Sequence, residues 1–501
     1  MTFGLRDRLE PMVRLTADPR DVNLVAGWSP ANPNERSWIG AELSYGNGFL
    51  ERLEHRKQFK INASKLFTLG HHDLTIYGIG YYGFSYLPGL VPVDVRVPGD
   101  TIDPRQSEEA SSGILIANDV WHLTADRQLQ LSGYFRTYNL DVRPNFGDGL
   151  IRQSEFRTAT SQSASYIDRV GRNLSLIAGF EYRREAPRNL NLARFDQAAG
   201  TFLPATSNDL TINFYTPYVS LDGSLTRFVH YNLGVRRDEI TFDNLDLLRP
   251  DLSFRAHQGI SSPKGTISLV PPGALFLPVV SLSYGEAFHV DDPRIGLTAL
   301  REHTVISPAR AWQLVARKAI ARTDLRVTLA RVAVAQQFAR IDNDTGLQED
   351  VGPALVRSLT ISARQYFRGG SLQALFAKAD ARDRLTGQPT PEAPRLIWDV
   401  LGTLDRLPFH LEARGEYEYV GRKPLGDGFN AVPVREFRGA ISRSFQDGRQ
   451  NVGVNFLIAR GYAGQTLETL ALPGESEPFE RITGFRLKSY ATLSWTYRFG
   501  K

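Results

Sequence analysis

The sequence predicts an all-β chain, a transmembrane antiparallel β-barrel of about 22 strands with short turns on one rim and long loops on the other. Three observations predict it. Almost every stretch alternates apolar and polar residues with period 2, and helical periodicity is hard to find over comparable lengths. The alternating stretches are long, many of roughly 15–20 residues against about 5–6 in typical soluble sheets. The connections alternate between tight turns and long linkers rich in Pro, Gly, Asp and Asn.

In chain order the alternating segments fall at 10–21, 21–30, 37–48, 52–68, 71–88, 111–125, 127–145, 150–171, 173–187, 210–227 and 228–248. They continue at 253–273, 276–294, 304–321, 323–343, 354–369, 371–386, 393–408, 409–425, 432–448, 449–466 and 482–500. Residues 1–20 read as a lead-in with a possible first strand, and 21–501 as the barrel. In the 127–145 segment Leu129, Leu131 and Phe135 oppose Gln130, Tyr134 and Arg136. In the 409–425 segment Leu411, Ala413, Tyr417 and Tyr419 oppose Glu412, Arg414, Glu416 and Glu418. The last segment sets Leu487, Leu493, Trp495, Tyr497 and Phe499 against Arg486, Lys488, Thr496 and Arg498.

Tight turns are expected at 125–127, 169–172, 322–324, 368–370, 407–409 and 446–449. Long linkers are expected at 88–111, 187–210, 294–304, 343–354, 425–432 and 466–482. With an even strand count, all turns of one kind fall on one rim. Short periplasmic turns and long extracellular loops are the signature of outer-membrane barrels, which close so that no backbone edge is left in lipid. The apolar face then meets lipid and the polar face a watery lumen. Trp495, Tyr497 and Phe499 are expected to form an interfacial girdle and an assembly signal for the barrel-insertion machinery. Arg136, Glu412, Arg414, Glu416, Glu418, Lys488 and Arg498 are expected to face the lumen, because charge is costly against lipid.

Composition removes other classes. The chain has no cysteine, which excludes disulfides, thiol nucleophiles and Cys-based zinc sites. The net charge of +5 is spread along the whole length, so nucleic acid is not a predicted partner. No run of 18 or more apolar residues provides a transmembrane helix, and the first residues lack the apolar core of a signal peptide.

Candidate chemical motifs are weak. "GIGYYG" (Gly78 to Gly83) matches a dinucleotide-binding fingerprint but is followed by "FSYLPGLVP", which does not start a helix. Glycines within a strand are the better reading. "DNDTG" (Asp342 to Gly346) lacks the later glycine and glutamate of a calcium loop and reads as an acidic loop tip. The adjacent His71 and His72 would face opposite sides of a strand. His289, Asp291 and Asp292 cluster at the expected mouth of a strand, where they could meet a ligand or metal chelate, against the plainer reading of a solvated loop. No catalytic constellation, cofactor site or resident metal site is indicated.

Several stretches resemble the barrel portion of the TonB-dependent outer-membrane receptors. "ISSPKGTISLVPPGALFLPVVSLSYGEAFHVDDPRI" (260–295) is similar to their mid-barrel hairpin, with Ser-Pro-Lys entering a strand, a Pro-Gly turn and Ser-Tyr-Gly-x-x-Phe. "GLVPVDVRVPGDTIDPRQSEEASSG" (89–113) resembles an early extracellular loop, and "NFGDGLIRQSEFRTATSQSASYI" (145–167) the hairpin after it. The resemblance implies an outer-membrane receptor, not an enzyme. It would take up a scarce small-molecule or metal-chelate ligand, such as a ferric siderophore or cobalamin, through loops and upper lumen. It also implies a plug domain inside the barrel and energy from the TonB complex. Nothing in this chain matches the plug, and the expectation is a truncated or misassigned start. The lumen-facing charges named above would then be a plug-docking surface. The alternatives are a plugless passive pore and a surface-loop adhesin. The family's barrels usually end on an aromatic residue, whereas this chain continues past Phe499 with Gly500 and Lys501.

Overall fold

The computed structural model describes the 501 residues except 1–7, 33, 49–51, 88–90, 96–100, 102, 146–148, 172, 273–276, 291–305, 336–337, 342–347, 351, 392, 427, 446–447, 471–478 and 500–501. Twenty-two strands form one antiparallel sheet. They are β1 (Met12–Ala17), β2 (Asp21–Trp28), β3 (Ser37–Gly46), β4 (Arg56–Leu69), β5 (His72–Tyr86), β6 (Ser107–His122), β7 (Arg127–Arg143) and β8 (Ile151–Arg169). Next come β9 (Leu174–Asp196), β10 (Thr201–Thr226), β11 (Val229–Asp246), β12 (Phe254–Leu269), β13 (Val279–Val290), β14 (Ile306–Ile320) and β15 (Thr323–Val334). The rest are β16 (Ala354–Phe367), β17 (Gly370–Asp383), β18 (Leu396–Leu407), β19 (Leu411–Val420), β20 (Val434–Phe445), β21 (Gln450–Arg460) and β22 (Tyr490–Arg498). Each strand pairs with the next, and β1 pairs with β22 from Met12 opposite Arg498 to Ala17 opposite Leu493. The sheet therefore closes, and the barrel keeps no free edge at the joint.

Alternation decides what faces out. On β22 Leu493 and Trp495 are exposed and Thr496 between them and Tyr497 is buried; Trp495 lies opposite Leu15 of β1 and Val452 of β21, both also exposed. On β10 Val219, Leu221 and Leu225 are exposed, while Ile212, Phe214 and Thr216 are buried. Outward-facing apolar side chains of this kind recur around the wall, for instance Leu115, Leu131, Phe180, Leu233, Trp312, Leu329 and Phe376. Such a continuous apolar exterior is solvated by hydrocarbon, not by water. No helix among the described residues is long and apolar enough to cross a membrane.

One rim carries the short connections 70–71, 123–126, 170–173, 227–228, 321–322, 368–369, 408–410 and 446–449; the chain enters β1 and leaves β22 there. The opposite rim carries 87–106, 335–353, 384–395, 421–433 and 461–489. The rule has exceptions: the tight connections 18–20 and 197–200 lie on the long-loop rim, and the longer 29–36 and 270–278 lie on the short-turn rim.

Three expectations differ from the structure. The linker expected at 187–210 is strand: β9 has 23 residues and β10 has 26, joined at 197–200. A bulge between Glu185 and Leu190, with Asn189 at φ 50°, shifts the alternation by one residue and hides it in the sequence. The final segment is split. Phe479–Arg486 pairs with Tyr462–Leu470 in a small sheet, and only Tyr490–Arg498 belongs to the barrel. Pro263 and Lys264 lie in mid-strand rather than at a strand entry.

That proline marks a seam. Pairing of β12 with β13 runs only from Leu269 opposite Val280 to Lys264 opposite Gly285, although both strands continue. Pro263, the next residue, has no N–H to offer the ladder. Beyond this point Phe288 and Val290, which share parity with outward-facing Leu282, pack against Ile212, Phe214, Ile240, Phe242 and Ile306. Those residues of β10 and β11 point inward, so the upper end of β13 has swung inside the wall. It forms there an apolar core that a simple cylinder would lack.

Candidate ligand site in the barrel lumen and mouth

The inner face of β8 to β11 is a ladder of paired charges beside that core. Arg157 reaches Glu155 at 2.9 Å and Glu185 at 3.5 Å, and Arg183 lies 3.6 Å from Glu185. The Arg183 guanidinium also stacks on Phe214, 3.9 Å from the ring centre. Ser161 donates to Glu181 at 3.1 Å. Asp238 is completely buried and accepts from Arg236 at 2.6 and 2.7 Å and from Thr216 at 2.8 Å. These side chains sit at alternate positions of strands, so the strands aim them into one space. A cavity of about 1160 Å³ opens there, lined among others by Glu155, Arg157, Glu181, Arg183, Tyr218, Arg236, Lys264, Phe288 and His289. It combines fixed cations, fixed anions and aromatic faces, which suits a polar ligand of mixed character rather than a purely apolar one.

Across the joint of β1 and β22 a second cavity of about 690 Å³ is lined by Asp21, Arg56, Arg414, Glu416, Arg438, Lys488 and Tyr490, among others. Arg414 meets Glu416 at 3.1 Å, and Arg438 bonds Glu436 and lies 3.4 Å from Glu418.

The structure places Arg136, Glu412, Arg414, Glu416 and Glu418 on the inner face, by their register with Ala159, Ser442, Ala440, Arg438 and Glu436. Lys488 lines the second cavity. Arg498 is taken up at the short-turn rim, 3.2 Å from Glu10 and 2.9 Å from the Gly448 carbonyl. Trp495, Tyr497 and Phe499 follow one another at the same rim, with ring centres 6.2 and 4.8 Å apart. His289 lines the larger cavity; Asp291 and Asp292 lie outside the described residues, as does Asp342 to Gly346. Among the described residues no group of three or more His, Asp or Glu is placed to hold a metal ion. Gly78 to Gly83 lies within β5. His72 bonds Asp119 at 2.9 Å and stacks on Trp121, so it serves the short-turn rim.

The sequence reading missed Glu155, Arg157, Glu181, Arg183 and Glu185, although "SEFR" and "FEYRRE" alternate charge with period 2. It also missed the mouth. Arg52 is buried between loops and donates to Leu87 O, to Thr101 Oγ1 at 3.2 Å and to Pro104 O at 2.7 Å. Buried Gln106 receives Asn145 N–H at 2.9 Å, and Asp103 accepts both Arg105 (2.8 and 3.0 Å) and Asn145 (3.2 Å). Burial acts to raise the Asp103 carboxyl, but its bonds to Arg105 and Asn145 outweigh this and hold it below its ordinary value. Earlier in the same loop Val91–Pro92 adds as a third strand to Phe479–Arg486, with Pro92 opposite Thr483. Gln465 then ties that sheet to Val432 through bonds of 2.9 and 2.8 Å. Loops from three places on the rim are thus joined over the mouth.

A closed 22-stranded antiparallel barrel, apolar outside and charged inside, defines the class of large outer-membrane β-barrels. Within that class the fold is that of the TonB-dependent receptors. The unliganded ferric citrate transporter FecA superposes with a TM-score of 0.79 at 11% identity, over 99% of this chain and 80% of that one. The copper transporter OprC gives 0.76 at 10% identity, over 98% and 80%. The ferric yersiniabactin uptake receptor FyuA from Yersinia pestis gives 0.75 at 11% identity, also over 98% and 80%. No family model matches the chain, and no curated protein matches it in sequence. The likeness is one of fold.

Proposed function

We propose that this chain is the barrel of an outer-membrane receptor and transporter that takes up a scarce ligand too large for ordinary porins, with a ferric or other metal chelate as the leading class. The observation that carries the reading is the superposition of nearly the whole chain on barrels whose named cargoes are ferric citrate, ferric yersiniabactin and copper. The mixed-charge cavity under a roof of joined loops supports it. Ligand would first meet the loops and then the upper lumen, where Arg183, Arg236 and His289 line the wall. The inward charges Arg136, Glu412, Arg414, Glu416, Glu418 and Lys488 would dock a plug, and the TonB complex would act where the full-length protein carries one. Trp495, Tyr497 and Phe499 would mark the lipid boundary and the assembly signal.

Uptake of radiolabelled ferric chelates by iron-starved cells, with and without the chromosomal gene, tests this directly. A gene-dependent uptake that collapses with the proton gradient is expected. Gene-independent uptake of every chelate tried, together with a large steady conductance of the purified protein in planar bilayers, would replace the receptor with a passive pore.

A further inference from the structure

Two pairs of arginines face each other on the outside of the wall. Arg331 of β15 lies directly opposite Arg357 of β16, and Arg435 of β20 directly opposite Arg460 of β21. All four are exposed. Their direction follows from strand parity with exposed Leu329, Ile361, Phe437 and Ile458. Like charges set directly opposite one another destabilise a sheet unless an anion lies between them. Near the first pair, Lys378 and Arg382 of β17 add two more cations on the same face. The carboxylate opposite Arg357 is Asp380, and both of its oxygens already accept from Arg382 at 3.0 Å. Near the second pair, Arg435 lies 5.9 Å from the Tyr419 ring, and among the described residues the register sets no carboxylate opposite either arginine.

Their height is specific. On β16 the outward positions run from Arg357 through Leu359, Ile361, Ala363 and Gln365 to Phe367 at the short-turn end. Ten residues at about 3.4 Å each, on a tilted strand, span a vertical height of about 25 Å, the height of a lipid-facing band. On β20 Arg435 likewise stands ten residues from Phe445 at the short-turn end, so both arginine pairs lie at the upper border of the apolar belt, on the long-loop side.

We propose that these two pairs form a binding site for the phosphate groups of a phosphorylated outer-leaflet glycolipid. The site rests on the outer-membrane reading. Guanidinium groups meet phosphate through two parallel hydrogen bonds, and at the edge of hydrocarbon such bonds are weakly screened. A phosphate between Arg331 and Arg357 turns their repulsion into a shared attraction, and a second does the same between Arg435 and Arg460.

The probe is diphosphorylated lipid A in detergent micelles, with enzymatically dephosphorylated lipid A as its comparison, and bound lipid is read by native mass spectrometry on the full chain. The variants are R331Q/R357Q and R435Q/R460Q, with R326Q, on β15 but facing inward, as control. Heat-modifiable migration confirms that each is a folded barrel, so a failure of the barrel reading is seen separately from a failure of the site. The wild type and R326Q are expected to retain the diphosphorylated lipid, and each double variant to lose about fivefold in affinity per arginine removed. Equal retention by all four proteins, or equal retention of the dephosphorylated lipid, overturns the proposal.

Discussion

The Arg52 guanidinium and the Pro104 carbonyl are joined by a 2.7 Å hydrogen bond that spans two loops of the barrel mouth. The same side chain reaches Leu87 and Thr101, so one buried cation holds loop 87–106 at several points. Replacing it with alanine takes this donor from the Leu87 and Pro104 carbonyls, at about 1–3 kcal/mol for each left buried without another, while Thr101 Oγ1 still accepts from the Asp103 N–H and the Gln106 amide. Arg52→Ala is expected to make this loop sensitive to protease on intact cells while the barrel still migrates as folded. Cleavage no faster than in the wild type would show that Arg52 does not hold the loop.

The Asp103 carboxyl gives the same loop a pH dependence. Its value is lowered in the folded protein, so it contributes stability above the unfolded value, 3.8, and that stability is lost as pH falls through the lower folded value. Hydrogen exchange of loop 87–106 should therefore be flat near neutrality after correction for intrinsic rates. Protection should fall only in strong acid. Asp103→Asn should remove that acid step; an unchanged profile in the variant would assign the step elsewhere.

Pro92 and Thr483 lie opposite each other in the small sheet over the mouth. Directly paired antiparallel residues have Cα atoms about 4.5–5.5 Å apart, within the range a disulfide bridges. Because the chain has no cysteine, the double variant P92C/T483C has a single possible intramolecular bridge. It should oxidise spontaneously in the envelope and migrate differently without reductant. Failure to cross-link under added oxidant would mean that these loops are not joined.

Gly439 is opposite Phe456, whose ring tip would lie only 2.1 Å from a Cβ at position 439. The ring lies across the glycine and meets Phe437 at 5.8 Å. Gly439→Ala forces it away, at a cost of about 1–3 kcal/mol, and should lower the urea midpoint of the folded barrel. The double variant G439A/F456A removes the clash and should lose less than the sum of the two single changes; additive losses would count against the steric account.

The sequence by itself determined the class of fold. Lipid outside and water inside impose a period of 2 on every spanning strand, so Leu493, Trp495 and their neighbours announce their face without any contact information. It also placed Arg136 and the Glu412 to Glu418 series on the inner wall, because parity alone decides that. Only the tertiary structure decided which charges share a space. Glu155, Arg183 and Arg236 come together through the register of four strands, which no local pattern encodes, and a one-residue bulge near Asn189 concealed the extension of β9 and β10. The inward swing of β13 past Pro263, the Arg52 hub and the strand added at Val91–Pro92 all depend on segments far apart in the chain. Their partners are fixed by closure of the barrel, and closure is a property of the whole sheet.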